Sequence, residues 1–284
     1  MYILDDEYVI YLQKNTIYNM DIALLGTGNM AWHLARAIEK SGHRITDIYA
    51  RDSTKAIQFA ASLYDAKINQ DLDFSESTAE IFILCVSDDA IEEVCSKILL
   101  PENAIIVHTS GAKSLDVVSS TLKIYHDLKT NSGVFYPLMT FTKGKEIDFK
   151  QVPICIEAEN TETEDFLIKL GKDISNDIYL VNSSERAVLH VAAVFSCNFS
   201  NHLWAISKEI VESEELDFEM LKPLIAETFK KAMAAKHPAD AQTGPAIRGD
   251  QDTIAQHLNY LKDDEDLTKV YQTLTESIQD WHES

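Results

Sequence analysis

The sequence predicts an α/β chain, with a mainly parallel sheet covered by helices on both faces and an all-helical C-terminal domain behind it. Three observations carry that expectation. Short apolar runs alternate with segments of helical spacing from Asp21 to Val181. One run, IFILCV at Ile81 to Val86, is apolar without a break, as a strand covered on both sides must be. Beyond Val181 the strand signals cease and almost everything reads as helix.

Residues 1–19 precede a second methionine, Met20, and carry no recognisable chemistry. They are expected to be an N-terminal extension, either a misassigned start or a loosely attached strand. The first domain then opens with DIALLG (Asp21 to Gly26), a short apolar strand. NMAWHLARAIEKSG follows, with Met30, Leu34 and Ile38 at helical spacing and Gly42 placed to cap the helix. ITDIYA (Ile45 to Ala50) alternates as a second strand, and a helix runs through Ala56, Phe59, Ala60 and Leu63. After IFILCV come a helix through Ile91, Val94, Cys95 and Ile98, then the strand AIIVH (Ala104 to His108). GVFY, VPICIE and DIYLV supply further strands. From Ser183 the chain runs to Ser213 without glycine or proline, opening on serines with a glutamate close behind, as helix starts do. The boundary is placed near Asn182, giving domains over 20–182 and 183–284. A helix this long and apolar is expected to pack on the first domain or on a second subunit.

Composition limits the function. The chain has 284 residues, 45% hydrophobic and 25% charged, enough for two moderate cores. Its 46 acidic and 25 basic residues leave a formal charge of −21, which argues against a general nucleic-acid binder. The same balance disfavours an anionic membrane surface. A local anion site stays open, because backbone amides and one arginine suffice to make it. No run of 18 apolar residues suggests a membrane span, and the N-terminus lacks the basic and apolar regions of a secretory signal. Cys85, Cys95, Cys155 and Cys197 form no CxxC pair and lie in apolar segments. That pattern predicts a reduced, cytoplasmic protein with buried thiols, and no metal site is expected.

The strongest motif is LLGTGNMAWHLA, in which Gly26, Gly28 and Ala31 form GxGxxA between a strand and a helix. The first glycine permits a tight turn. The second lets the backbone approach a pyrophosphate, and the small third residue lets helix and strand pack closely. Amides at the helix start then face the phosphates. This is the fingerprint of a Rossmann-type dinucleotide site, and Gly26, Thr27, Gly28, Asn29, Met30 and Ala31 are its expected lining. At the end of the second strand, where an acidic residue would bind the ribose of NAD, the chain has YARDSTKA. Arg51 and Ser53 suit a 2′-phosphate, so NADP(H) is favoured over NAD. Asp52 blurs that reading unless it caps the following helix.

These stretches, with CVSDDAIEEV and HTSGAKSLDVV, resemble the NADP-binding half of a superfamily of reductases. It includes pyrroline-5-carboxylate reductases, 3-hydroxyisobutyrate dehydrogenases and deazaflavin-dependent NADP reductases. GVFYPLMTF, FSCNFSNHL and QTGPAIRGD are similar to oxidoreductases that join such a domain to a helical "domain of unknown function 2520". The resemblance runs from Met20 to the C-terminus and implies NADP binding, a dimer-forming helical domain and a reductase activity. Two departures stand out. Tyr136 occupies the place before proline where the family usually has histidine, and a phenol does not titrate near neutral pH. Val194 and Cys197 lie four residues before Asn198 and Asn201, where the hydroxyacid dehydrogenases carry a catalytic lysine.

Ligands of such sheets bind beyond the carboxyl ends of the strands. Val86, Ser87 and Asp88 are therefore expected near the ribose and pyrophosphate, and His108, Thr109, Ser110 and Gly111 near the nicotinamide. His108 reads equally as a proton donor or as a strand-end histidine bonded to backbone; Thr109 and Ser110 read also as caps of the turn. On the long helix His190, Cys197 and Asn201 fall within about 20° of one another at 100° per residue, with Asn198 beside them. They either face the cleft or form a hydrogen-bonded helix interface. In QTGPAIRGD, Arg248 is expected to bind a substrate carboxylate, with an Arg248–Asp250 pair on a surface turn as the alternative. The candidate catalytic set is His108, Ser110, His190, Asn198, Asn201 and Arg248. The sequence thus predicts a homodimeric NADPH-dependent reductase of a small, anionic carbonyl or imine compound. A non-catalytic NADP-binding sensor is the rival.

Overall fold

The computed structural model describes residues 19–126 and 131–283. The expected extension over residues 1–19 lies outside them, save Asn19. Chain contacts divide the molecule into two compact units, the first ending at Ser200 and the second beginning at Asn201. The sequence placed a boundary at Asn182, which is the N-cap of the long helix; the division falls further along that helix.

The first unit is built on an eight-stranded sheet. Its elements are β1 (Asp21–Leu25), α1 (Asn29–Lys40), β2 (Arg44–Tyr49), α2 (Ser53–Ala60), β3 (Lys67–Ile68), β4 (Ile81–Leu84), α3 (Ile91–Lys97) and β5 (Ile105–His108). Then follow α4 (Asp116–His126), β6 (Asn131–Pro137), β7 (Ile154–Ala158), α5 (Thr161–Ile174), β8 (Ile178–Leu180) and α6 (Ser183–Ala193). The strand order is β3-β2-β1-β4-β5-β6-β7-β8. Neighbours are parallel except β6 and β7, which are antiparallel. The order reverses between β1 and β4, which opens a crevice at their carboxyl ends.

Alternation within the strands feeds two cores. Ile22, Leu24, Ile83 and Val107 pack with Leu34 and Ile38 of α1 and Leu167 and Leu170 of α5. Ala23, Leu25, Phe82, Leu84 and Ile106 pack on the other face with Ile91 and Val94 of α3 and Val118 and Leu122 of α4. Each fully buried aliphatic side chain contributes about 1.5–3 kcal/mol. Gly42 follows α1 with φ of 92°, a left-handed cap that glycine adopts without strain.

α6 starts with a capping box, in which Asn182 accepts from the Ser184 and Glu185 amides and Glu185 accepts from the Asn182 amide. The helix does not keep α geometry. Val194–Phe199 form a π turn before α7 (Ser200–Ser213) resumes. A π turn adds a residue to the local repeat, so the constant 100° step that put His190, Cys197 and Asn201 on one line does not hold across it. The second unit continues with α8 (Lys222–Ala234), α9 (Gln251–Leu261) and α10 (Glu265–Glu283). No helix among the described residues is long and apolar enough to cross a membrane.

Candidate nucleotide and reduction site

The first glycine turn is forced by its surroundings. Gly26 has φ of 117°, and a Cβ there would stand 2.2 Å from the Cys85 carbonyl oxygen. No L side chain fits that position. Gly28 is the N-cap of α1, and nothing lies within 4 Å of where its Cβ would be. That space, in front of free helix amides, suits a pyrophosphate. Ala31 is fully buried against the sheet, so the third motif residue keeps α1 close to β1.

The turn opens into a groove of about 410 Å³. Gly26, Thr27 and Gly28 line it with Tyr49, Ala50, Arg51 and Asp52 from the end of β2, and Cys85, Val86 and Ser87 from the end of β4. Lys55, Glu93 and Lys97 complete its charged rim. Two rim acids are already engaged. Asp52 accepts from the Thr54 and Lys55 amides as the N-cap of α2. Glu93 pairs with Lys97 at 2.7 Å, and Lys97 and Arg51 hold its carboxyl below the usual range. Lys55 pairs with Asp52 at 3.8 Å, so the positive charge that this end of the groove offers comes mainly from Arg51, with Lys55 beside it. A larger hollow, about 560 Å³, is lined by Thr273, Glu276, Ser277, Asp280 and Trp281. All five come from α10 alone, with no glycine turn, so it has none of these features.

Other expected lining residues stand apart from that groove. Asn29 donates to the Phe141 carbonyl at 3.2 Å, and Met30 packs against the core beneath α1. Ser53 opens α2 as an exposed residue, and Asp88 opens the 3₁₀ turn Asp88–Ala90.

The turn after β5 requires a correction. His108 is fully buried; its Nδ1 accepts from the Ser110 amide at 3.1 Å, and its Nε2 lies 3.1 Å from the Ser114 carbonyl oxygen. One nitrogen accepts and the other donates, so the ring is neutral and has no proton to spare for a substrate. Burial, then the charge of Arg186, pushes its pKa down to about 4. Of the two readings, the strand-end histidine bonded to backbone describes it, and the proton donor does not. Thr109 donates to the Leu84 carbonyl at 2.9 Å, and the Ser110 hydroxyl accepts from the Ala112 and Lys113 amides at 3.1 and 3.0 Å. Both side chains cap this turn.

The turn instead carries a pair that sequence spacing hides. Tyr136 Oη and His190 Nδ1 lie 3.4 Å apart, their rings edge to face. Both pack over Gly111, where a Cβ would meet His190 Nδ1 at 2.6 Å and Tyr136 Oη at 2.9 Å. A buried ion pair fixes the helix that brings His190. Arg186, 1% exposed, donates to Glu157 on β7 and to the Lys113 carbonyl, while Glu157 also accepts from the Ser183 hydroxyl and amide. Arg186 and Glu157 were not singled out from the sequence. Their only signal there is a charged pair within apolar segments.

Cys197 and Asn198 are exposed on the π turn, and Asn201 is exposed at the start of the second unit. The expectation that all four thiols are buried fails at Cys197. Cys85, Cys95 and Cys155 are buried. In the second unit QTGPAIRGD forms a closed turn, with the Asp250 amide donating to the Pro245 carbonyl at 3.0 Å. Gly244 and Gly249 take positive φ, and Asp250 caps α9 through Thr253. Arg248 is exposed, 3.7 Å from Asp250. Within its own unit, then, the motif is an Arg–Asp pair on a surface turn.

A Rossmann-type sheet with a glycine turn at its crossover and a basic groove beyond it defines a dinucleotide-dependent oxidoreductase. Comparisons with known proteins agree. Residues 21–111 match the family described as NADP oxidoreductase coenzyme F420-dependent, and residues 152–278 match the domain of unknown function DUF2520. A crystal structure from Bacteroides fragilis, named as an NADP oxidoreductase, is 37% identical with a TM-score of 0.82, covering 92% of this chain and 98% of its own. A protein from Thermotoga maritima is 20% identical with a TM-score of 0.74, covering 93% of this chain and all (100%) of its own. A pyrroline-5-carboxylate reductase from Coxiella burnetii shares the fold at 14% identity and a TM-score of 0.53, covering 94% and 98%. No curated protein matches the chain. The chain belongs to the NADP oxidoreductase family that carries this C-terminal domain.

Proposed function

We propose that the protein reduces a small, carboxylate-bearing carbonyl or imine compound with NADPH. The observation that supports this most directly is the groove beyond Gly26 and Gly28, which Arg51 lines with Lys55 beside it. The residues present fit the cofactor: the open face at Gly28 takes the pyrophosphate, and Arg51 with Lys55 takes the 2′-phosphate. Bound NADPH supplies a hydride to the substrate carbon. The chain's part is to orient the two, exclude water and deliver a proton. Fold neighbours include a pyrroline-5-carboxylate reductase and an imine reductase, which makes 2-oxo acids and cyclic imines the first compounds to try.

Two measurements test the reading. NADPH should bind more tightly than NADH, and Arg51→Ala should remove most of that preference, a loss of about 1.5–3 kcal/mol for a charge-assisted contact. Equal affinities in the unaltered protein would overturn the assignment. NADPH oxidation should then appear with a member of a panel of 2-oxo acids and cyclic imines. NADPH binding with no turnover across the panel would favour a sensor that holds the nucleotide.

We propose further that the active form is a homodimer joined along the long helix. Val188, Val191, Phe195, Phe199 and Trp204 are 43 to 70% exposed along it, a run of large apolar side chains on both sides of the π turn.

A further inference from the structure

We propose that Tyr136 is the proton donor of the reduction and that His190 is the group that re-protonates it. The inference rests on the reductase reading. It starts from a polar pair, Tyr136 and His190, that the β5 turn, the end of β6 and α6 bring together.

Position comes first. β6 runs parallel to β5, with Val134 beside His108. Tyr136 is two residues further on, past the end of β5, at the carboxyl edge where the nucleotide turn also lies. Asp88, at the start of the β4 turn, is close enough for its charge to act on the phenol. Gly111 is the reason the pair fits. Any side chain there would collide with both rings.

Chemistry comes second. Hydride arrival at the carbon of a neutral carbonyl or imine leaves negative charge on its oxygen or nitrogen, which must gain a proton. His108 cannot supply it, because both its nitrogens are spent on its own turn. Among the described residues of the first unit, Cys85, Cys95 and Cys155 are thiols held protonated by burial in the core, the last paired across β7 with Tyr136. Tyr136 is half-buried, neutral and a good donor. Burial raises its pKa, while the Arg186 guanidinium works the other way and favours the phenolate. Arg186 lies one helical turn before His190 on α6 and is itself locked by Glu157. The charge that would steady a transient phenolate is thus fixed under the pair.

The step balances. The phenol O–H bond breaks as its proton joins the substrate oxygen or nitrogen, and the two electrons come with the hydride from NADPH. The Nδ1 proton of His190 then passes to the phenolate oxygen as the ring takes up one from the solvent, so the net reaction consumes one hydride and one solvent proton. Tyr136 is the catalytic residue here, and His190 acts through it.

The experiment uses the whole protein and the best compound of the panel. Tyr136→Phe keeps the ring and removes the proton; kcat should fall by about a hundredfold or more, with KM and NADPH affinity within a few-fold. His190→Asn places an amide N–H where Nδ1 was, so the hydrogen bond can persist while the relay cannot. It should lower kcat by roughly tenfold and increase the solvent deuterium isotope effect on kcat. Unchanged kcat in Tyr136→Phe overturns the proposal. If no compound turns over, the reductase reading fails separately, and the pair is tested by the ¹³C signal of the His190 ring. Tyr136→Phe should move that signal; an unmoved signal overturns the pair itself.

Discussion

His108 shows how one residue's chemistry is consumed by its neighbours. A fully buried imidazole that gives one nitrogen to an amide and the other to a carbonyl must stay neutral. Its folded pKa of about 4 lies below the ordinary histidine value of 6.5. The unfolded chain therefore binds the extra proton first as pH falls. Stability from this site is intact above pH 6.5 and drains away between there and about pH 4, by at most about 3 kcal/mol. Thermal unfolding followed against pH should show it: His108→Gln should be less stable at neutral pH and should lose less on acidification. Parallel curves for the two proteins would refute the linkage. Tyr136 and His190, fifty-four residues apart, meet only because β6 lies beside β5 and α6 returns over them. Nothing in the local sequence of either announces the other, whereas the Gly26 to Ala31 spacing is local and was legible at once.

At the scale of elements, α6 is held by charge as well as by packing. Glu157 takes the Arg186 guanidinium together with the hydroxyl and amide of Ser183. Removing one partner of a buried pair strands the other, at a cost of about 3–5 kcal/mol. Glu157→Ala should lose that much by chemical denaturation; a loss below about 1 kcal/mol would show the pair to be no more than a surface contact. Strands and helices of the first unit were legible because buried parallel strands are short apolar runs with helical spacing between them. Direction was not. VPICIE reads the same whichever way it runs, and its antiparallel pairing with β6 is set by the connection through residues 138–153. The π turn was hidden for a similar reason. VFSCNF holds no glycine or proline to mark a change of pitch, so a uniform helix was the natural expectation.

For the whole molecule, the prediction is assembly. A chain with a formal charge of −21 repels its copies at long range, so a dimer must be held by apolar contact at short range. Light scattering should give twice the chain mass, and added salt should strengthen the dimer by screening. A monomer at all concentrations would end that proposal. The exposed Cys197 offers a finer reading of the same question. It lies on the π turn between Phe195 and Phe199, whereas the thiols of Cys95 and Cys155 are pushed up to about 12 and about 11 by burial. Only thiolates react with alkylating reagents, so the native protein should take up a single equivalent while the denatured chain takes up four. The molecule thus carries its own one-channel counter. If a second copy covers the helix, alkylation should slow as protein concentration rises, and the stoichiometry of a label reports the meeting of two chains.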